Sequence, residues 1–123
     1  MADDRAPDVV VVNLGQNDHG FPASKGRRIA PDFGPRYLAF VRDLRARYPQ
    51  ARLVLMIGGM TAWRDEPAIP QALRDAVATL RAEGDTRVWT ITLQAFAWAH
   101  PRLDVHTRMA DELTRFLQEE VLR

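Results

Sequence analysis

The stretch Pro7 to Gly20, PDVVVVNLGQNDHG, decides which fold the chain predicts. Its four consecutive valines, Val9 to Val12, form an unbroken β-branched run. Such a run predicts a strand buried on both faces, as in a parallel sheet covered by helices. The polar turn Gly15 to Asp18 follows where this strand stops. Because ligands in open α/β sheets collect outside the carboxyl ends of parallel strands, the turn is a candidate site.

Helical and strand patterns alternate downstream of the valine run. The predicted helices span Pro35–Tyr48, Pro67–Glu83 and about Leu103–Leu122, and the predicted strands span Arg52–Ile57 and Arg87–Leu93. Gly84 is placed as the C-terminal stop of the second helix. Strands that alternate with helices in this way predict an α/β fold, with right-handed crossovers and a parallel sheet covered on both sides.

The first strand has the most buried-looking sequence, yet no segment before it supplies a neighbour for its other side. A strand with a central pattern would therefore lie at an edge. Because an apolar edge invites pairing, we expect a homodimer or a complementing N-terminal segment that covers the first strand.

Composition limits the possible functions. The chain has 123 residues, enough for one domain, and its 46% apolar content is ordinary for a globular protein. Its 17 basic and 16 acidic residues are interspersed, which argues against a nucleic-acid or membrane partner. It has no cysteine, so disulfides and thiolate catalysis are excluded. No signal peptide is visible, which predicts a cytoplasmic protein, or a secreted one if the chain is processed from a longer precursor.

Two further regions are of interest: one follows the second predicted strand, and the other interrupts the alternation of strands and helices. Gly58 and Gly59 end the second strand, and Met60 to Trp63 after them would suit a pocket wall. The region His19–Gly34 is the longest irregular piece and contains Ser24, the only serine. The three histidines lack the i, i+4 helical spacing of zinc enzymes, so no metal site is expected.

Two groups of residues could carry chemistry, the turn Gly15 to Asp18 and the segment Trp98 to Pro101. A side-chain amide held at a strand end is a good donor to a developing oxyanion. An imidazole brought to the same edge can serve as a general base.

These residues resemble the conserved blocks of a known superfamily. Gly15, Gln16, Asn17 and Asp18 resemble the Gly-x-Asn-Asp block of the SGNH (GDSL) hydrolases, and His100-Pro101 resembles their last block. The run His100, Pro101, His106, Met109, Ala110, Asp111, Glu112, Leu113 is similar to the acetylxylan esterases of carbohydrate esterase family two. The resemblance implies a flavodoxin-like α/β/α fold of which residues 1–123 form a single domain, the last three β-α units.

The resemblance also implies roles for particular side chains. Asn17 would be the oxyanion-hole amide and His100 the general base that activates a serine. The other implied pocket residues, which would line the site or stack on a sugar ring, are Gly15, Asp18, His19, Trp63 and Trp98. His106 is expected at the start of the last helix as a packing residue. No cofactor is implied.

The chain departs from the family pattern in two ways. The block that bears the nucleophilic serine is absent, and so is the second block with its glycine amide. Ser24 lies after the Asn17 turn with no strand leading into it, and Lys25 follows it directly, so it does not replace the nucleophile. Ala97 to Ala99 stand where an acid partner for His100 is usual, although some family-two esterases use a Ser-His dyad oriented by a backbone carbonyl.

The sequence therefore predicts the C-terminal half of an SGNH-type ester hydrolase that removes acetyl groups from carbohydrates or other small esters. Without a serine from elsewhere, acyl transfer has no attacking atom. The alternative is an inactive carbohydrate-binding or subunit module of the same fold. A third possibility is an unrelated flavodoxin-like domain, in which Asn17 and His100 would lie more than about 10 Å apart, too far for shared catalysis.

Overall fold

A computed structural model describes residues 5–14, 30–59, 67–96 and 103–123. Strands and helices alternate along the chain in the predicted order. The elements are β1 (Val9–Asn13), α1 (Phe33–Arg47), β2 (Arg52–Gly59), α2 (Ala68–Ala82), β3 (Val88–Phe96) and α3 (Leu103–Phe116), followed by a π-helical turn (Leu117–Val121). None of the helices in these ranges is long and apolar enough to cross a membrane.

The three strands form one parallel sheet in the order β1-β2-β3. Val9 lies opposite Arg52 in the first pair, and Leu53 lies opposite Val88 in the second. The predicted α/β fold with a parallel sheet is confirmed. Among the described strands β1 lies at an edge of the sheet, as predicted.

One face of the sheet carries the main core. Leu53, Leu55 and Ile57 alternate along β2 toward this face and are fully buried. They pack with Val41 of α1 and Leu73 of α2 in one apolar cluster. Burying a side chain of this size stabilises the fold by about 1.5–3 kcal/mol, so each of these residues contributes substantially to stability.

Helix α2 shows why the sequence pattern was informative here. Its predicted stripe, Ile69, Leu73, Val77 and Leu80, is buried. Gly84 then adopts a positive φ of 98°, and its N–H donates to the Arg81 carbonyl at 3.0 Å. The Asp85 N–H donates to the Leu80 carbonyl, also at 3.0 Å. This Schellman pair of hydrogen bonds confirms Gly84 as the helix stop.

The opposite face of the sheet is only partly covered. Val54 and Met56 point to this side and are buried, and α3 packs against β3 and β2. No comparable packing joins α3 to β1 among the described residues, and Val11 is 38% exposed. The prediction that the valine run is buried on both faces is therefore wrong for the described structure, because α3 lies over the other two strands.

Several element boundaries differ from the predicted ones. Helix α1 begins at Phe33, inside the region predicted to be irregular, and the Arg36 N–H donates to the Asp32 carbonyl at 3.0 Å. Strand β3 runs three residues beyond Leu93, to Phe96. The last helix changes at Leu117 to a π-helical turn. The start of α1 depends on a local hydrogen bond, whereas the extension of β3 depends on the bulge against β2 and on a contact 17 residues away in the chain, and apolar periodicity shows neither.

Candidate functional site at the carboxyl edge of the sheet

The carboxyl ends of the three strands all lie at one edge of the sheet because the strands are parallel. A segment with predicted site residues follows each strand: 15–29 after β1, 60–66 after β2 and 97–102 after β3. These segments lie outside the described residues, and with them lie Gly15, Asn17, Asp18, His19, Trp63, Trp98 and His100. The structure therefore describes the strand ends from which they continue.

A cleft of about 330 Å³ opens between the end of β1 and the first turns of α1. Its described lining is mostly apolar and aromatic, with one ion pair at its border: Leu14, Ala30, Asp32, Phe33, Arg36, Tyr37 and Phe40. The Arg36 guanidinium lies 4.0 Å from the Asp32 carboxylate, and both side chains are exposed. A cleft that combines aromatic side chains with a few polar groups is a candidate ligand site.

Tyr37 lies in the wall of this cleft and is only 5% exposed. Its ring centroid lies 5.8 Å from that of Phe33. The Tyr37 hydroxyl has no hydrogen-bond partner in the part of the chain that the structure describes. Burial raises the pKa of Tyr37 well above its ordinary value, so the phenol is neutral and does not act as a base near pH 7.

The ends of β2 and β3 approach each other unusually closely. Ile57 lies opposite Thr92, whereas Gly59 lies opposite Phe96, so β3 is bulged relative to Gly58. A Cβ added to Gly58 would lie 2.5 Å from the Leu93 Cβ, closer than real Cβ contacts. Only glycine fits at this position without a shift of the neighbouring strand.

Glu112 of α3 contacts this bulged part of β3. Its Oε2 accepts a hydrogen bond from the Gln94 N–H at 2.8 Å, and its Oε1 accepts one from the Ala95 N–H at 2.5 Å. Both oxygens of one carboxylate are thus used by two consecutive backbone donors. Since the acceptor is an anionic group, these bonds are stronger than bonds between neutral groups.

His106 lies near the start of α3, as expected, but its side chain is exposed, so the expectation that it packs is wrong. The described ranges hold no group of three or more His, Asp or Glu side chains arranged to bind a metal ion. Among the described residues, His106 therefore has no neighbouring side chains with which it could bind a metal ion.

Glu112 is the contact at this edge that sequence reasoning missed. It is 17 residues from Ala95 in the chain, and the two residues show no shared spacing pattern. Neither the bulge in β3 nor the angle of α3 is visible in the sequence. The continuation of β3 beyond Leu93, which places these backbone donors, is not visible in the sequence either.

These features define the class of protein: an α/β protein with a parallel sheet whose functional edge is expected at the carboxyl ends of the strands. The model of the GDSL-like lipase/acylhydrolase family matches residues 1–113. The chain therefore belongs to the GDSL-like lipase/acylhydrolase family. The resemblance to the SGNH hydrolases in the sequence is thereby confirmed. No curated protein sequence matches the chain.

Several solved structures share the fold. A family two carbohydrate esterase from Clostridium thermocellum, in complex with cellohexaose, is 24% identical and aligns over 94% of this chain with a TM-score of 0.77. An acetyl xylan esterase from the rumen bacterium Butyrivibrio proteoclasticus is 19% identical over 94% of this chain, with a TM-score of 0.72. A carbohydrate esterase family 2 enzyme from Corynascus thermopiles is 24% identical over 89% of this chain, with a TM-score of 0.65.

The chain corresponds to only part of each of these proteins. It covers 36% of the Clostridium and Corynascus chains and 37% of the Butyrivibrio chain. At these identities the likeness concerns the fold.

Proposed function

We propose that the chain is the histidine-bearing part of an SGNH-type carbohydrate esterase that removes acetyl groups. In this proposal His100 is the general base, Asn17 donates to the oxyanion, and the serine comes from a segment outside the 123 residues. The observation that carries it is the placement of the three site-bearing segments, each directly after the carboxyl end of one of three adjacent parallel strands.

The dimensions of the sheet permit Asn17 and His100 to meet. Neighbouring strands lie about 4.8 Å apart, so β1 and β3 are separated by about 10 Å across β2. Asn17 follows the last residue of β1 by four positions, and His100 follows the last residue of β3 by four. Four extended residues span up to about 14 Å, which is sufficient for both side chains to reach the space above β2.

The uncovered side of β1 supports a serine supplied from elsewhere. Strand β1 is paired only with β2 in the described sheet, so no described strand lies on its other side. A further strand could pair there and bring a serine turn to the same edge of the sheet. The coverage of 36–37% of the similar esterases also leaves room for such a segment.

The reaction would follow the usual course of acyl transfer. His100 takes the serine proton as the serine oxygen bonds to the acetyl carbon, and Asn17 stabilises the negative oxygen. The sugar hydroxyl leaves with the proton from His100, and water then releases acetate by the same steps. No metal or cofactor takes part in this scheme.

The test is acetate release from p-nitrophenyl acetate and acetylated xylan. The isolated chain should release none above background, whereas the chain expressed together with its upstream coding sequence should be active. In the active form, His100→Ala should abolish turnover and Asn17→Ala should lower kcat about 10²–10³-fold. His106→Ala, which changes an exposed histidine of α3, is the matched control and should leave turnover unchanged.

Two outcomes would contradict the proposal. Turnover by the isolated chain that His100→Ala removes would show that no outside serine is needed. Full activity of the His100→Ala variant in the longer protein would remove the general base from the scheme.

A binding module is the second candidate, and the aromatic cleft beside α1 favours it. This candidate predicts that the isolated chain binds xylo- or cello-oligosaccharides without acetate release in any combination with upstream sequence. Loss of that binding in Phe40→Ala, which removes an exposed aromatic wall residue, would support it.

A further inference from the structure

A side chain from the interior of α3 is hydrogen-bonded to the end of β3. Strand β3 ends at Phe96 and α3 begins at Leu103. Glu112, well inside α3, accepts hydrogen bonds from the N–H groups of Gln94 and Ala95 just before the strand end. The distance between the strand end and the helix is thus held by a contact outside the connection itself.

The position of these two donors explains why a carboxylate is needed. Between the pairs Ile57–Thr92 and Gly59–Phe96, β3 has three residues where β2 has one. The regular hydrogen bonds between β2 and β3 cannot pair every N–H group in such a bulge. An anionic group that accepts from two consecutive N–H groups forms strong hydrogen bonds, because two backbone dipoles then point toward one charge.

We propose that Glu112 is a positioning residue that sets where the segment bearing His100 leaves the sheet. The proposal rests on the proposed function, in which His100 is the general base. Glu112 acts through the backbone at Gln94 and Ala95, and it does not touch the substrate. Without Glu112, the N–H groups of Gln94 and Ala95 lose the hydrogen bonds that join them to α3.

The experiment uses NMR on the full 123-residue chain, with Glu112→Gln and Glu112→Ala. In the alanine variant, amide hydrogen exchange at Gln94 and Ala95 should be at least about tenfold faster, because both charge-assisted bonds are lost. The glutamine variant keeps one acceptor oxygen and should fall between. In both variants the ring signals of His100 should shift, while those of His106 should stay in place.

Asp111→Asn is the matched control, because it removes one negative charge from the neighbouring, exposed position of the same helix. It should leave both amides and the His100 signals unchanged. If the alanine variant does not fold, the glutamine variant carries the test. In a catalytically active longer protein, Glu112→Gln should lower kcat and leave KM unchanged.

Unchanged His100 signals in a variant whose Gln94 and Ala95 amides exchange faster would overturn the proposal, since Glu112 would then hold the strand end alone. Unchanged exchange would overturn it as well. These readouts do not depend on acetate release. A His100 shift in a protein that never hydrolyses esters would therefore preserve the positioning role while removing the proposed function.

Discussion

The two ends of the sheet are held by different means. At the amino-terminal end, the Arg45 guanidinium lies between the connections that lead into β2 and β3. It binds both carboxylate oxygens of Asp85, at 2.8 and 3.2 Å, and donates to the carbonyls of Ala51 and Arg87 at 2.6 and 2.9 Å. At the carboxyl end, the Glu112 carboxylate of α3 accepts hydrogen bonds from two backbone N–H groups of β3.

The difference teaches where the chain can vary. The amino-terminal end is cross-linked between described residues of three connected elements, and Arg45 and Asp85 are each less than a fifth exposed, at 18% and 17%. The carboxyl end gives rise to the three segments that carry the predicted site. A fold stabilised at one end leaves the opposite loops available for binding and chemistry.

Arg45→Ala should give the largest loss of stability. A small loss would show that the amino-terminal end of the sheet is not the more strongly stabilised end. It removes a two-pronged ion pair and leaves the Asp85 carboxylate and several carbonyls without their donor. We expect the free energy of unfolding to fall by about 3 kcal/mol, measured by urea denaturation. Arg45→Lys keeps the charge but not the planar fork and should lose a smaller amount.

Arg42→Ala is the matched control for Arg45→Ala. Arg42 lies on the same helix and binds Glu83 through two hydrogen bonds of 2.7 and 2.8 Å, but both side chains are about half exposed. Its removal should shift the urea midpoint far less, because exposed ion pairs contribute little. Equal losses from Arg42→Ala and Arg45→Ala would show that burial of the amino-terminal ion pair is unimportant.

Gly58→Ala tests the packing at the carboxyl end. The new Cβ would meet Leu93 at 2.5 Å, so β3 must shift, and we expect a loss of about 1–3 kcal/mol in the free energy of unfolding. Gly34→Ala is the control. Gly34 lies inside α1, and its new Cβ would be 3.9 Å from the Ala72 Cβ of α2, an ordinary contact distance. That variant should be as stable as the parent or gain up to about 1 kcal/mol. A stable Gly58→Ala protein would mean that the two strand ends are loosely packed.

Tyr37→Phe should give the smallest effect, with the opposite sign. It removes a buried hydroxyl that has no partner among the described residues, so the free energy of unfolding should rise by up to about 1 kcal/mol. Burial raises the pKa of Tyr37 above its ordinary value of 10.0, so the unfolded chain loses this proton first. The contribution of Tyr37 to the free energy of unfolding is therefore fully present below pH 10.0 and declines as the pH rises above that value.

Urea denaturation at pH 8 and again at about pH 11 measures this difference, because the ordinary tyrosine pKa lies between them. The gain of Tyr37→Phe over the parent should be larger at the higher pH. A variant that is less stable than the parent at pH 8 would indicate that the hydroxyl has a partner.

Much of the fold was predictable from local patterns. The stripe of α2 and the glycine after it were correct because a helix face and its stop depend on neighbours in the chain. The continuation of β3 to Phe96 was not predictable, since it depends on a bulge against β2 and on Glu112. The candidate site stays a prediction for all seven of its residues, which lie outside the described ranges.

The sequence by itself determined the alternation of strands and helices and the family of the protein, because hydrophobic period and short motifs are properties of neighbouring residues. Tertiary structure decided which valines of β1 are covered, which arginine becomes partly buried and which carboxylate meets the end of β3. These contacts join residues that are 17 to 40 or more positions apart. No local pattern encodes them, since they depend on how α1 and α3 lie across a sheet that forms only when the chain folds.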